Sequence, residues 1–247
     1  MGRQGCSDRQ SPHRVATSEA IRAKAGVAFP AALGSVLELK VWLLDISPMV
    51  WRRVLVPASS TLRELHGVLQ AAMGWEGIHL NQFHLHAVRY GSFELSASSP
   101  DVAIDRLGLR RGARFVYEYD LNAVWRHEIR IEDRSEPDPR KAYPLCLDGH
   151  GACPPEDCGG PAGYLERRDD VLSLDVFDDL DATADFVEQA VLERRRELLV
   201  DPETVGRIEV ALDRIAERKR CQGRPFSRRE VNARFRRNEH HALMYQP

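Results

Sequence analysis

Alternating hydrophobic and polar positions near residue 40 predict a β-hairpin. Residues 36–46 alternate between apolar and polar side chains, the period of two that is typical of a strand with one buried face. Ser47 and Pro48 form a turn signal, and residues 49–56 return as a second apolar strand that closes at Pro57. We therefore expect the two segments to pair.

A helix is predicted directly after this hairpin. Thr61 and Glu64 have the spacing of a capping box, in which each side chain accepts a hydrogen bond from the backbone N–H of the other residue. An apolar stripe at helical spacing follows, and Gly74 ends it. Further strands are predicted at 82–90, 113–119 and 124–132.

The sequence pattern changes twice in the second half of the chain, first to an irregular stretch and then to helical periodicity. From Pro137 to Gly163 the sequence is rich in Pro, Gly and Cys, and no periodic pattern fits. A long irregular stretch of this kind predicts a loop that is functional or held from outside, for example by a metal. Helical patterns follow at about 181–199 and 203–220, and Ser227 opens a short final helix with a second capping box.

These elements predict an α+β fold, in which a mainly antiparallel sheet packs on helices and the Cys/Pro/Gly-rich loop closes one end. A helical C-terminal portion docks on this domain or extends from it. The predicted division is a disordered leader at 1–35, an α+β domain at 36–170, a helical extension at 171–237 and a flexible tail at 238–247.

Composition and charge narrow the classes of function. The 247-residue chain is 43% hydrophobic, which is enough for a core, and its net charge of -2 gives no global case for nucleic acid or membrane. Its apolar runs are shorter than the about 18 residues that a membrane span needs, and the first residues have no signal-peptide core. We therefore expect a cytoplasmic protein with no membrane partner.

Cysteines provide the sharpest chemical signal. Five cysteines in a reducing compartment favour metal or redox chemistry over a disulfide framework. Cys146, Cys153 and Cys158 lie close in sequence, and Cys₃His is a common tetrahedral zinc set. His127 is the favoured fourth ligand, with His150 as the alternative. The sequence thus predicts a structural zinc, and the competing interpretation is three free thiols in a loop.

Acidic and imidazole groups near the loop offer a second chemistry. Glu156 and Asp157 lie between the last two thiols, and His79 follows the predicted helix. Near a metal with an open coordination position they can act as general acid and base, which makes a metal-dependent hydrolase an alternative function. The plainer interpretation, that they cap turns or support metal ligands, is favoured, so a non-enzymatic domain is the first expectation.

A basic C-terminal region makes nucleic acid the second candidate partner. Arginine and lysine side chains on its helices can contact phosphates, but interleaved acidic residues favour a solvated helix surface. The candidates for phosphate contact are Arg194, Arg195, Arg218, Lys219, Arg220, Arg236 and Arg237.

Several segments, taken in order, resemble the plasmid pRiA4b ORF-3-like family. Leu39–Arg53 and Gln70–Trp75 match its early blocks, and Trp125–Ile129 and Cys153–Gly160 match its later ones, the last most specifically. The resemblance covers roughly residues 36–170.

This resemblance implies a compact α+β domain and an association with mobile elements, since members carry the label of insertion-sequence passenger proteins, TnpR. It implies no specific reaction. The chain departs from the family at Leu121–Val124, where an acidic turn is usual, and at Asn81, where a second histidine is usual. The leading hypothesis is a non-enzymatic interaction domain with a structural zinc and an unidentified protein partner, of undetermined oligomeric state.

Overall fold

A computed structural model describes residues 34–170 and 175–245. Within these ranges the strands are β1 Val36–Leu43, β2 Trp51–Pro57, β3 Asn81–Leu85, β4 Val88–Gly91, β5 Arg114–Tyr119, β6 Trp125–Ser135 and β7 Leu145–His150. The α-helices are α1 Leu62–Met73, α2 Gly160–Asp170, α3 Asp175–Val187, α4 Pro202–Cys221, α5 Arg228–Arg236 and α6 Glu239–Leu243. Short 3₁₀ turns lie at Phe93–Leu95, Ile104–Leu107 and Arg196–Leu199, and a π-helical turn lies at Glu188–Leu192.

All seven strands form one sheet in the order β4-β3-β5-β6-β1-β2-β7, and every neighbouring pair is antiparallel. The predicted hairpin is confirmed, with register from Val36 opposite Pro57 to Trp42 opposite Trp51. The α+β fold class is therefore confirmed.

Helix α1 begins and ends where the sequence predicts. The Thr61 hydroxyl accepts from the Glu64 N–H, and the Glu64 carboxylate accepts from the Thr61 N–H. Gly74 ends the helix with a positive φ of 96°, which glycine adopts without a steric penalty. The apolar stripe of α1 packs on the sheet and seals a core that includes Leu65, Leu69 and Trp125.

Two predictions about local structure are wrong. The predicted strand 82–90 is a hairpin, because His86 and Ala87 take positive φ values of 47° and 65° and reverse the chain between β3 and β4. The region 137–163 is not wholly irregular, since it contains β7 and the start of α2. β7 pairs with β2 as an edge strand, and its few buried side chains explain why no alternation marks it.

The helical C-terminal portion is more broken than its pattern predicts. The segment 181–199 is divided into the end of α3, a π turn and a 3₁₀ turn, with Arg194 at a φ of 60°. Part of the predicted flexible tail is α6, which packs on α1 and buries His240 and Leu243. A Cβ at Gly67 would overlap the His240 carbonyl oxygen, so only glycine permits this approach.

The predicted leader lies outside the described residues except for its last positions, 34 and 35. None of the helices within the described ranges is long and apolar enough to cross a bilayer.

Candidate functional site

Several residues that the sequence singles out line one groove of about 990 Å³. The groove lies between the end of α1, the cysteine loop and the α4–α5 region. Its lining includes Cys153, Glu156, Asp157, Cys158, Lys219, Arg220 and Arg237. The other candidates lie outside it: His79, His127, Cys146, Arg194, Arg195, Arg218 and Arg236.

The predicted zinc ligands do not meet in one coordination sphere. Cys146, Cys153 and Cys158 are free and buried, and burial raises the pKa values of their thiols to about 11, 12 and 11. Within residues 34–170 and 175–245, no group of three or more His, Cys, Asp or Glu side chains is close enough to hold a metal. Zinc binding would therefore require the loop to rearrange.

Arg52 and Cys221 belong to this region, and sequence reasoning missed both. The buried Arg52 guanidinium donates to the carbonyl oxygens of Ala72 at 3.1 Å and His150 at 2.9 Å. Its charge lowers the pKa values of the Cys146 and Cys153 thiols, against the larger opposite effect of burial. Cys221, at the end of α4, is a further buried thiol of the groove. Their positions depend on non-local contacts, so no local pattern marks them.

His127 lies in the apolar core. Its ring centroid is 5.3 Å from that of Trp75 and 5.2 Å from that of Tyr117. Burial lowers the pKa of His127 to about 3, with the backbone of Trp125 and of Tyr117 acting in the opposite direction. Neither ring nitrogen has a hydrogen-bond partner among the described residues. The imidazole is therefore neutral at pH 7 and forms part of the packing beneath α1.

Glu156 anchors the cysteine loop to the rest of the domain. Its carboxylate accepts from the backbone N–H groups of Glu76, Gly77 and Ile78 at 2.7, 3.1 and 3.3 Å. The Tyr119 hydroxyl also donates to it. Burial and this carboxylate raise the pKa of Tyr119. With its oxygens held in this way, Glu156 fits the structural interpretation better than that of a general base.

His79 and Asp157 form a small polar cluster with Asp120. Its Nε2 lies 2.8 Å from Asp157 Oδ1 and 3.9 Å from Asp120 Oδ2. Asp120 and Val124 have φ values of 53° and 52°, and positive φ is unfavourable for a β-branched valine.

Most of the predicted phosphate contacts are already engaged within the chain. Arg218 donates to the buried Asp179 carboxylate at 2.6 Å, and Arg195 lies 3.3 Å from a Glu197 oxygen. Arg220 is paired with Glu217, and Arg237 with Glu239. Arg194, Lys219 and Arg236 have no ion pair within the described ranges. The sequence-based preference for a solvated, internally paired surface agrees with these contacts.

A further surface of interest lies on residues 175–221, which form part of the helical extension. Large apolar side chains here are exposed to solvent, with Phe177 at 65% and Leu192 at 74%. Phe177, Leu180 and Val187 share one face of α3 by their spacing, and Val191 follows in the π turn.

An acidic row runs beside this apolar row. Asp178, Asp181, Asp185 and Glu188 are exposed and have no ion pair among the described residues. Because each is displaced by one position from the apolar spacing, the two rows are adjacent on the helix surface. The sequence pattern does not mark the exposed apolar row, since burial cannot be read from periodicity.

The fold and site define a class: an antiparallel α+β domain with a cysteine loop fastened across one end. The chain belongs to the plasmid pRiA4b ORF-3-like family, whose sequence profile matches residues 35–188. It is 41% identical over 140 residues to the uncharacterized protein y4hQ of Sinorhizobium fredii, covering 54% of this chain and 72% of that protein. A crystal structure of MM3350, a protein of unknown function from Methanosarcina mazei Go1, matches with 28% identity and a TM-score of 0.54. That match covers 57% of this chain and 83% of MM3350.

Proposed function

We propose that this chain is a non-enzymatic interaction domain whose helical extension binds a partner helix with an apolar face and basic flanks. The observation that carries the proposal is the exposed apolar row of α3. Large apolar side chains are exposed together over 177–212, whereas elsewhere in the described chain they are scattered singly. Contiguous exposed apolar surface is typical of interaction sites.

Charge supports the choice of partner. The acidic row Asp178, Asp181, Asp185 and Glu188 is unpaired among the described residues and flanks the apolar row. A helix with leucine-like residues on one face and lysine or arginine beside them would bury the apolar row and pair these carboxylates. A second copy that presented the same α3 face would place like charges together, which disfavours a symmetric α3–α3 dimer.

A pair of synthetic peptides tests the proposal. One amphipathic peptide has leucine at heptad positions a and d and lysine at the flanking positions, and its control has glutamate in place of lysine. We expect the full chain to bind the lysine peptide with micromolar affinity and the glutamate peptide much more weakly.

Variants then locate the contact. Phe177→Ser with Val191→Ser is expected to weaken binding about tenfold or more, while Val88→Ser, at an exposed valine of β4, is expected to leave it unchanged. Equal binding of both peptides, or unchanged binding by the double variant, would contradict the proposal. A dimer in sedimentation that Phe177→Ser abolishes would identify a second copy as the partner and overturn the chosen chemistry.

The structural zinc stays a prediction. The predicted ligands Cys146, Cys153 and Cys158 are buried thiols, and thiolates suit Zn²⁺, but binding would have to draw them and His127 together and remove the thiol protons. Elemental analysis of untagged protein decides between the interpretations. One zinc per chain, lost in Cys153→Ser with Cys158→Ser, would support the prediction, and no zinc in the wild type would refute it.

The predicted association with mobile elements is a property that the family label suggests, and we keep it as part of this proposal. Linkage to transposition is testable by comparing insertion frequencies of an element with and without this protein.

A further inference from the structure

A second cavity, of about 390 Å³, lies on the face of the domain where α1, the β3–β4 hairpin and the C-terminal segment meet. It is separate from the groove at the cysteine loop and from the helical extension. Its volume is at the small end of the range for small-molecule sites, about 300–1,000 Å³. Its lining includes Arg63, His66, Asn81, Ser92, Phe93, Glu94, Met244 and Tyr245.

The lining of this cavity includes the side-chain amide of Asn81. Asn81 is only 7% exposed, and its side chain has no hydrogen-bond partner among the described residues. Its backbone is fixed, because the Asn81 N–H donates to the Ser92 hydroxyl at 3.2 Å and the Ser92 N–H donates to the Asn81 carbonyl at 3.1 Å. A Cβ at Gly91 would overlap that carbonyl, so this close strand approach requires glycine. The amide atoms of Asn81 are not sealed from solvent, so this side chain can form hydrogen bonds with a ligand in the cavity.

His66 adds a second buried polar group beside the amide. Its Nδ1 lies 2.6 Å from the Tyr117 hydroxyl, and its Nε2 has no hydrogen-bond partner within the described ranges. Burial lowers the pKa of His66 to about 4, with the nearby Leu243 carbonyl acting in the opposite direction, so the ring is neutral at pH 7. The floor therefore offers neutral hydrogen-bonding groups.

Two exposed aromatic rings stand at the rim. Phe93 is 88% exposed and Tyr245 is 72% exposed, and both line the cavity. Aromatic side chains held in solvent beside a cavity are suited to stack on a planar ligand.

The charges of the cavity argue against an anion as the main recognition element. Arg63 is already bound to Asp101, with Nε and Nη2 at 2.6 and 3.0 Å from its two carboxylate oxygens. Glu94 adds a negative charge to the lining. A neutral planar ligand is therefore preferred to a phosphate or a carboxylate.

We propose that this cavity binds an adenine ring, with the Asn81 amide hydrogen-bonded to the base edge and Phe93 and Tyr245 in contact with its faces. An asparagine amide presents a donor and an acceptor side by side, which matches the adjacent amino group and ring nitrogen of adenine. Aromatic side chains stack on bases in the same way in single-strand recognition. The source of the ring is a free nucleoside or a base of single-stranded nucleic acid, and both share this chemistry.

The test uses the full chain and calorimetry with adenosine, with purine riboside as the control ligand. We expect adenosine to bind on the order of tenfold more tightly than purine riboside, because purine riboside lacks the amino group that donates to the amide oxygen. A single-stranded oligo(dA) is titrated in parallel. Tighter binding of oligo(dA) than of adenosine assigns the base to nucleic acid, and the reverse assigns it to a free nucleoside.

Variants distinguish specific binding in the cavity from non-specific adsorption to the protein surface. Asn81→Leu is expected to weaken adenosine binding about tenfold, and Phe93→Ala is expected to weaken it severalfold. Phe93 is so exposed that its variant keeps the fold even if Asn81→Leu does not. Phe177→Ala, at an exposed phenylalanine on the helical extension, is the matched control and should leave adenosine binding unchanged. No adenosine binding at millimolar concentration, or equal binding by wild type and Phe93→Ala, would overturn the proposal.

Discussion

In the α+β domain a cluster of large aromatic side chains is buried, whereas in the helical extension several large apolar side chains are exposed to solvent. Trp125, Tyr117 and Phe83 are fully buried between α1 and the sheet. In the extension, α3 and α4 bury few apolar side chains, and a charged group, Asp179, is buried between them. A sheet and helix can enclose a core between them, but two helices alone cover only one stripe each. The first region thus has an enclosed core, and the second has the exposed apolar surface on which the proposed partner binding rests.

The largest expected effect is in the sealed core. Trp125→Ala removes a buried ring whose Nε1 donates to the Glu156 carbonyl at 3.2 Å and so connects the sheet to the cysteine loop. We expect a loss of about 3–5 kcal/mol in the free energy of unfolding, measured by urea denaturation. A loss of less than about 1 kcal/mol would show that the core is not packed as described.

A smaller effect on stability is expected at the ion pairs that connect α3 to α4 in the helical extension. Asp179 accepts from Arg214 and Arg218 at 2.6 Å each, and Asp179→Ala leaves these guanidinium groups without their carboxylate. We expect amide protons of α3 to exchange about 10–100-fold faster, with the α+β domain unaffected. Asp178→Ala, at the exposed neighbouring position, is the control. Equal exchange in the two variants would show that the pair does not hold the extension.

Acid should destabilise the core through buried imidazoles. The pKa of His127 is lowered by burial from 6.5 to about 3, so between these values the unfolded chain binds a proton that the native chain does not. Stability is therefore full above about pH 6.5 and falls as the pH is lowered toward 3, by up to about 1.4 kcal/mol per pH unit for this group. His66 and His240 act in the same direction.

Denaturation at several pH values checks this, with His127→Phe as the matched variant. The variant should show a shallower dependence on pH by about one proton. An unchanged slope would mean that His127 is not buried as a neutral ring.

The smallest effect on the free energy of unfolding is expected for the exposed apolar side chains of the helical extension. Leu192→Ser changes a side chain that makes little contact, and we expect the free energy of unfolding to stay within about 0.5 kcal/mol of wild type. A loss above about 1 kcal/mol would mean that another part of the chain covers this row, and the contrast between the two regions would fail.

Local signals account for the part of the fold that could be predicted. The β1–β2 hairpin follows from alternation and a turn, and α1 follows from the Thr61 cap and Gly74, because these features depend on neighbours in sequence. The edge strand β7 could not be predicted in this way. Its hydrogen bonds go to β2, far away in the chain, and its side chains show no regular burial.

The residues of the candidate site also divide into those that local sequence signals identified and those that depend on distant contacts. The sequence identified Glu156, Asp157 and His79 as a polar group, and the structure brings Asp157 and His79 together. It also predicted that Cys146, Cys153, Cys158 and His127 share a metal, but their residue types do not fix the path of the backbone between them. Nothing local in the sequence marked the cavity at Asn81, because the surroundings of that side chain depend on the β3–β4 hairpin and the C-terminal segment.

The sequence by itself determined the family, the α+β class, the first hairpin and the Thr61 capping box of α1, since periodicity and capping act over a few residues. Only the tertiary structure decided which polar side chains are buried and which apolar side chains remain exposed to solvent. Packing of α1 on the sheet buries His127 without a partner among the described residues, and no described segment covers Phe177, which stays exposed. Burial is set by contacts between distant segments, and that is why these decisions cannot be read from the order of residues.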